Sequence, residues 1–170
     1  MKRTAIVLTS LLIAACASTP KADAPAKETP KAAAATTGTT APVSAAETEA
    51  SRLAAELQQL QTQSVYFDFD QSTVKPAYQD VMRKQADFIK AHRGDVVTLQ
   101  GNADERGSNE YNLALGDRRA HAVKKDLEIL GVGATQLKTI SYGEEKPRLL
   151  CHEEKCWKEN RRVDFAHQVN

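Results

Sequence analysis

Long apolar runs are scarce in this chain of 170 residues. The longest stretch, Thr4 to Ala15, has twelve residues, too few to cross a bilayer as a helix. It follows Met1-Lys2-Arg3, and a basic start before a short apolar core reads as a secretion signal. An excess of charge of one sign is also missing. The formal net charge is +1, and removal of Lys2 and Arg3 with the signal leaves 21 basic and 22 acidic side chains, or −1. Such a chain has no global basic field, so no nucleic-acid partner is expected and specificity must lie in a local site. Cysteine is limited to Cys16, Cys151 and Cys156, the last two within "CHEEKC". With His152 they would make three ligands, and no fourth is evident, so no metal is expected. An exported pair of this kind reads as a disulfide. Closing so short a loop contributes about 2 kcal/mol through the unfolded chain, so the pair is expected to serve stability rather than binding. Once the cysteines are paired, no Ser-His or Cys-His arrangement offers a free nucleophile. Asp104 and Glu105 are adjacent and cannot readily flank a scissile bond from opposite sides, which argues against a hydrolase. His92, His121, His152 and His167 are scattered and expected at the surface or at sheet edges. No cofactor is expected.

The apolar run ends in Ile13-Ala14-Ala15-Cys16. Small residues before a cysteine resemble the lipobox of bacterial lipoproteins, whose cysteine is acylated and becomes the mature N-terminus. Ala17 in place of Asp then implies the outer membrane as destination. Residues 1–15 are the expected signal, and 16–46 the expected lipidated Cys16 and its tether. The tether is mostly Ala, Thr, Pro and Lys and cannot bury enough surface to offset ordering. Such a segment reaches at most ~100 Å when straight and about 30 Å as a relaxed coil. Residues 47–63 have helix-forming composition with Leu53, Leu57 and Leu60 at helical spacing, which predicts a lead-in helix.

The domain is expected over residues 64–170. "VYFDFD" alternates Val65, Phe67 and Phe69 with Tyr66, Asp68 and Asp70, predicting a strand with one buried face. Pro76 suits the first turn of a helix to about His92, with Val81, Phe88 and Ile89 as apolar positions. "DVVTLQG" predicts a second strand, Glu110 to Leu130 a second long helix stopped by Gly131, and "LKTISYG" and "RRVDFAHQV" two more strands separated by a loop with the cysteine pair. The fold class expected is α+β: a βαβαββ sandwich with a mixed four-stranded sheet and two main helices on one face.

On the second long helix Leu113, Ala120, Val123, Leu127 and Leu130 form an apolar stripe with Gly116 as its small member. Arg119 borders that stripe, about 100° from Ala120, whereas Arg118 points largely to water. Asn112 lies two turns nearer the helix start on the Arg119 side. Asp104 sits in the Gly-containing turn leading into this helix. Two readings follow from this spacing. Asp104 and Arg119 pair with each other and fix the turn, or the carboxylate and the forked guanidinium face one pocket and hold a ligand's ammonium and carboxylate.

"VYFDFD", "GNADERGSNEYNLALGDRRAHAV", "SYGEEKP" and "NRRVDF", in this order, resemble the OmpA-like peptidoglycan-binding domain family over nearly all of residues 64–168. The resemblance implies that Asp104 and Arg119 hold the amine and carboxylate of meso-diaminopimelate in the wall stem peptide. Asn112 matches the polar residue of the family motif, and Asp70 and Arg161 are implied at the site margins. With the lipobox it implies a non-enzymatic link between outer membrane and peptidoglycan, with the domain in the periplasm. TolB and other Tol proteins are its implied protein partners. Asn102 stands where the family commonly has His, and the cysteine pair is one that many relatives lack.

Overall fold

The computed structural model describes residues 45–169. The expected signal, Cys16 and nearly all of the tether lie outside the described residues. A helix, α1 (Ala45–Gln61), leads into strand β1 (Ser64–Tyr66). A 3-10 turn at Pro76–Tyr78 opens α2 (Gln79–Ala91), followed by β2 (Asp95–Asn102), α3 (Asn109–Ile129), β3 (Leu137–Gly143), α4 (Glu154–Asn160) and β4 (Arg162–Val169). The four strands form one mixed sheet in the order β1-β4-β2-β3. Only β2 and β3 run parallel; β4 is antiparallel to both of its neighbours. The α+β class and mixed four-stranded sheet are as expected.

Period-two burial builds the core. Val97 and Leu99 of β2 are fully buried, while Thr98 and Gln100, which alternate with them, are half-buried on the opposite face. The register sets Leu99 beside Phe165 and Val97 beside Leu137, so the inward residues of three strands form one surface. Met82, Ala86 and Ile89 of α2 and Ala120, Val123 and Leu127 of α3 cover that same surface. Ser108 caps α3 by accepting the Tyr111 amide at 3.2 Å, and Gly131, at φ 91°, ends it in the left-handed region that a side chain disfavours. Gly101 and Gly116 let β2 and α3 touch through their backbones. A Cβ on Gly101 would lie 1.9 Å from the Gly116 carbonyl oxygen.

The sequence expectations differ from the structure in five places. The expected strand "VYFDFD" stops at Tyr66, paired with Arg162; Phe67 stays buried, but the chain then turns and Phe69 is 54% exposed. The cysteine segment is not all loop, since α4 begins at Glu154 inside it. On α3 the buried face is centred near Arg119 and Val123, so Leu115 is buried while Leu113 falls at its exposed edge. Arg119 is not at the border of that face but wholly within it. His167 is buried too, because the alternation of Val163, Phe165 and His167 carries it to the helix-covered face. Its Nδ1 lies 2.6 Å from Asp95 and its Nε2 2.8 Å from Gln85.

Candidate functional site

The end of β2 delivers Asp104 into a turn that closes at Gly107, where φ is 117°. Asp104 is 4% exposed, and a buried carboxylate needs donors on all sides. The Arg106 amide and Nε both donate to its Oδ1 at 3.1 Å, and the Arg106 Nη2 to Oδ2 at 2.7 Å. Arg161 adds an Nη1 bond to Oδ2 at 3.1 Å. Burial raises the Asp104 pKa, but the side-chain and backbone hydrogen bonds from Arg106 and that from Arg161 outweigh it and hold the carboxyl below its usual value. Of the two readings open from the spacing, the pairing of Asp104 with Arg119 is absent; arginines from its own turn and from the end of α4 bond Asp104 instead.

Arg119 is fully buried and anchored by the chain itself. Its Nε donates to the Gln71 carbonyl at 2.8 Å, Nη1 to Asn102 at 2.9 Å and Nη2 to Asp68 at 3.1 Å. The guanidinium lies 5.2 Å from the Phe67 ring centre. Burial lowers its pKa to about 10, with Asp104 opposing the shift and Arg161 adding to it. A guanidinium has five N–H donors, so Nη1 and Nη2 each keep a second one beyond these backbone bonds. Arg118, by contrast, is exposed and lies 5.6 Å from the Tyr111 ring. Adjacent positions on one helix thus hold a buried anchor and a surface cation.

Asp70, Asp104, Asn112 and Arg119 come together on one cleft of about 230 Å³, which Arg106 also lines. Asp70 sits in the left-handed region at φ 57° and accepts a hydrogen bond from the Tyr111 hydroxyl. That bond to Asp70 raises the Tyr111 pKa. Asn112 is 1% exposed and donates to Glu144 after β3. Arg161 lies behind Asp104 rather than in the cleft, pairing with Glu154 of α4 and donating through Nε to the Phe67 carbonyl at 3.0 Å. Two acids and two arginines line the cleft, so its formal charge is zero; Arg106 is paired with Asp104, while Arg119 is bonded only to backbone carbonyls. Such a surface matches a zwitterion better than an ion of either sign.

Arg106 is the residue sequence reasoning missed. Its place two residues after Asp104 in a glycine-closed turn was a usable signal, because such a residue's amide commonly returns to the Asp side chain. Its other contacts were not legible locally: its guanidinium is stacked 4.0 Å from Phe69 and 4.1 Å from Trp157. Cys151 and Cys156 form a disulfide beside this stack. Among the described residues no cluster of side chains could hold a metal ion, and no helix is long and apolar enough to cross a membrane.

The OmpA family model matches residues 66–161. The chain is 46% identical over 104 residues to the peptidoglycan-associated lipoprotein of Pasteurella multocida, covering 61% of this chain and 69% of that one. It is 44% identical over 99 residues to the protein of the same name from Agrobacterium fabrum, covering 58% of this chain and 56% of that one, so it spans little over half of that relative. Among solved structures, the peptidoglycan-associated lipoprotein from Burkholderia pseudomallei is 48% identical with a TM-score of 0.62, covering 63% of this chain and 91% of that one.

Proposed function

The chain belongs to the OmpA family, and from that premise we propose that it is an outer-membrane lipoprotein that binds peptidoglycan without cutting it. The ligand group is the free amino-acid end of meso-diaminopimelate in the stem peptide. Its ammonium faces Asp104 and Asp70, and its carboxylate meets the remaining N–H donors of Arg119, with Asn112 at the cleft wall and Arg161 holding Asp104 from behind. The observation that carries this reading is the neutral cleft in which an ionised, lowered-pKa Asp104 and a buried Arg119 fork share one cavity. A carboxyl held ionised is a poor general acid, which favours binding over hydrolysis.

Cys16 carries the lipid, two or more acyl chains being needed for stable anchoring, and the domain stands in the periplasm. Weak binding at each stem peptide becomes firm attachment when many tethered copies face a dense polymer. TolB and the other Tol proteins are the proposed protein partners, in a link that serves envelope integrity and cell division.

Purified domain mixed with cell-wall sacculi tests the proposal. Pelleting with the sacculi and no soluble fragments is expected, and released muropeptides would show an enzyme instead. Stem peptides with a free meso-diaminopimelate carboxylate should bind more tightly than amidated ones, and Asp104→Ala should remove binding to both. Indifference to amidation would mean that Arg119 does not receive the carboxylate.

A further inference from the structure

The residues that follow the two bridged cysteines converge on the turn that carries Asp104. The disulfide holds the Cα atoms of Cys151 and Cys156 5.6 Å apart. His152 follows the first cysteine, and its Nδ1 lies 2.7 Å from both carboxylate oxygens of Glu105. Trp157 follows the second, and its indole N–H donates to Glu105 Oε1 at 2.8 Å. The Trp157 bond, then the His152 bond, hold the Glu105 pKa below its usual value. The Trp157 ring also supports Arg106 at 4.1 Å, and Arg106 supplies three of the four hydrogen bonds made to Asp104 by arginines. Glu154, between the cysteines, pairs with Arg161 and lies 3.7 Å from Arg106.

Neither cysteine belongs to the main apolar cluster, and the His152 side chain is 80% exposed. Contacts this exposed are weak when made by a freely moving segment, because ordering the segment costs entropy. A closed ring removes much of that freedom beforehand. A role in stability alone would leave the convergence on Glu105 and Arg106 without consequence.

We propose that the Cys151–Cys156 bridge and Trp157 are positioning residues of the wall-binding site. They hold Glu105 and Arg106 so that Arg106 orients the Asp104 carboxylate toward the ligand's ammonium. This rests on the assignment of Asp104 as the ammonium's partner. Arg106 is 31% exposed and Arg161 only 5%, so an arriving ammonium meets the Asp104 carboxylate beside Arg106, which stays bonded to it. Trp157 beneath Arg106 senses the arrival.

The test titrates a meso-diaminopimelate tripeptide into three folded proteins: the oxidised chain, the chain treated with dithiothreitol, and Cys151→Ser/Cys156→Ser. Circular dichroism monitors the fold. Loss of the bridge is expected to weaken binding by roughly three- to tenfold, the effect of losing one hydrogen-bonded support. Trp157→Leu with the bridge intact should weaken it to a similar degree. Trp157 is the single tryptophan, so emission from the oxidised protein should change on titration, reporting the arrival of the ammonium beside Arg106. Unchanged affinity without the bridge overturns the proposal. If the bridge-free protein does not fold, Trp157→Leu decides alone, with unchanged affinity again overturning it. Asp104→Ala separates the two levels: normal binding by that variant sinks the site assignment itself, whereas lost binding there with no effect of bridge or Trp157 sinks only the positioning role.

Discussion

Arg119 shows how one side chain serves fold and site at once. Removing it takes a donor from the carbonyls of Gln71, Asn102 and Asp68, of which Asp68 keeps only the Gln71 amide, and opens a cavity. Arg119→Ala should therefore lower stability by about 2–5 kcal/mol through the cavity and the lost hydrogen bonds, a large part of a typical domain's total. The full burial of Arg119, rather than the place at the border of the stripe expected from the sequence, makes the change costly. Arg118→Ala should stay within about 0.5 kcal/mol of the parent, since its side chain faces water. Urea unfolding of both variants checks the contrast, and equal losses would mean that the two arginines are interchangeable. Asp104 supplies a pH test. Its pKa is lowered on folding, so the unfolded chain takes up this proton first as pH falls. The stability it contributes is whole above the unfolded value near about 3.9 and is lost as pH falls through the lower folded value. Asp104→Asn should accordingly be less stable than the parent at neutral pH, with the gap narrowing below about pH 4. Denaturation curves at neutral and acid pH would show a constant gap if Asp104 were not the group responsible.

Among the elements, β2 and α3 carry most of the site between them, and their separation is set by two glycines. Asp104 follows β2, while Asn112 and Arg119 ride on α3. In Gly101→Ala the new Cβ would start 1.9 Å from a backbone oxygen that cannot rotate away, so strand and helix must part. A loss of about 3 kcal/mol or more is expected, at the upper end of overpacking costs. Binding per folded molecule should fall as well, because Asp104 after β2 and Arg119 on α3 shift against each other. Thermal melts paired with a peptide titration test this, and a destabilised variant with full affinity would show that the cleft tolerates the shift. The short β1 belongs to the same logic. Its ladder stops at Tyr66 so that the following turn can bring the carbonyls of Asp68 and Gln71 to Arg119 and set Phe69 against Arg106.

For the whole molecule, the near-zero net charge and the neutral cleft point the same way: the proposed attachment rests on a specific group rather than on general attraction to a polyanion. The proposed anchor is tested separately from the domain. Cys16→Ala should move the protein out of the outer-membrane fraction after the wall is digested, while the domain keeps its fold and its binding to sacculi. Fractionation followed by immunodetection reads the outcome, and persistent sedimentation with membrane would place the anchor elsewhere in the chain.

What this sequence determined by itself were features whose physics is local. The segment "DVVTLQG" marked a strand, and Gly131 marked the end of α3. A helical angle of about 100° between neighbours already distinguished Arg119 from Arg118. His167 was expected at the surface or a sheet edge, yet a period-two reading of Val163, Phe165 and His167 on one face of β4 would have placed it inside. The depth at which Arg119 sits was not legible, because three carbonyls from two other segments enclose it. Nor was the partner of Asp104: Arg106 prevailed over Arg119 because the turn folds its own arginine back, while Arg119 is held away by backbone acceptors. The stack of Phe69, Arg106 and Trp157 draws on the end of β1, the turn after β2 and the bridged segment. Periodicity and turn chemistry act over a few residues and can be read along the chain. Which donor fills a buried carboxylate, and which ring covers an arginine, depends on distances between segments that only the packed sheet and helices establish.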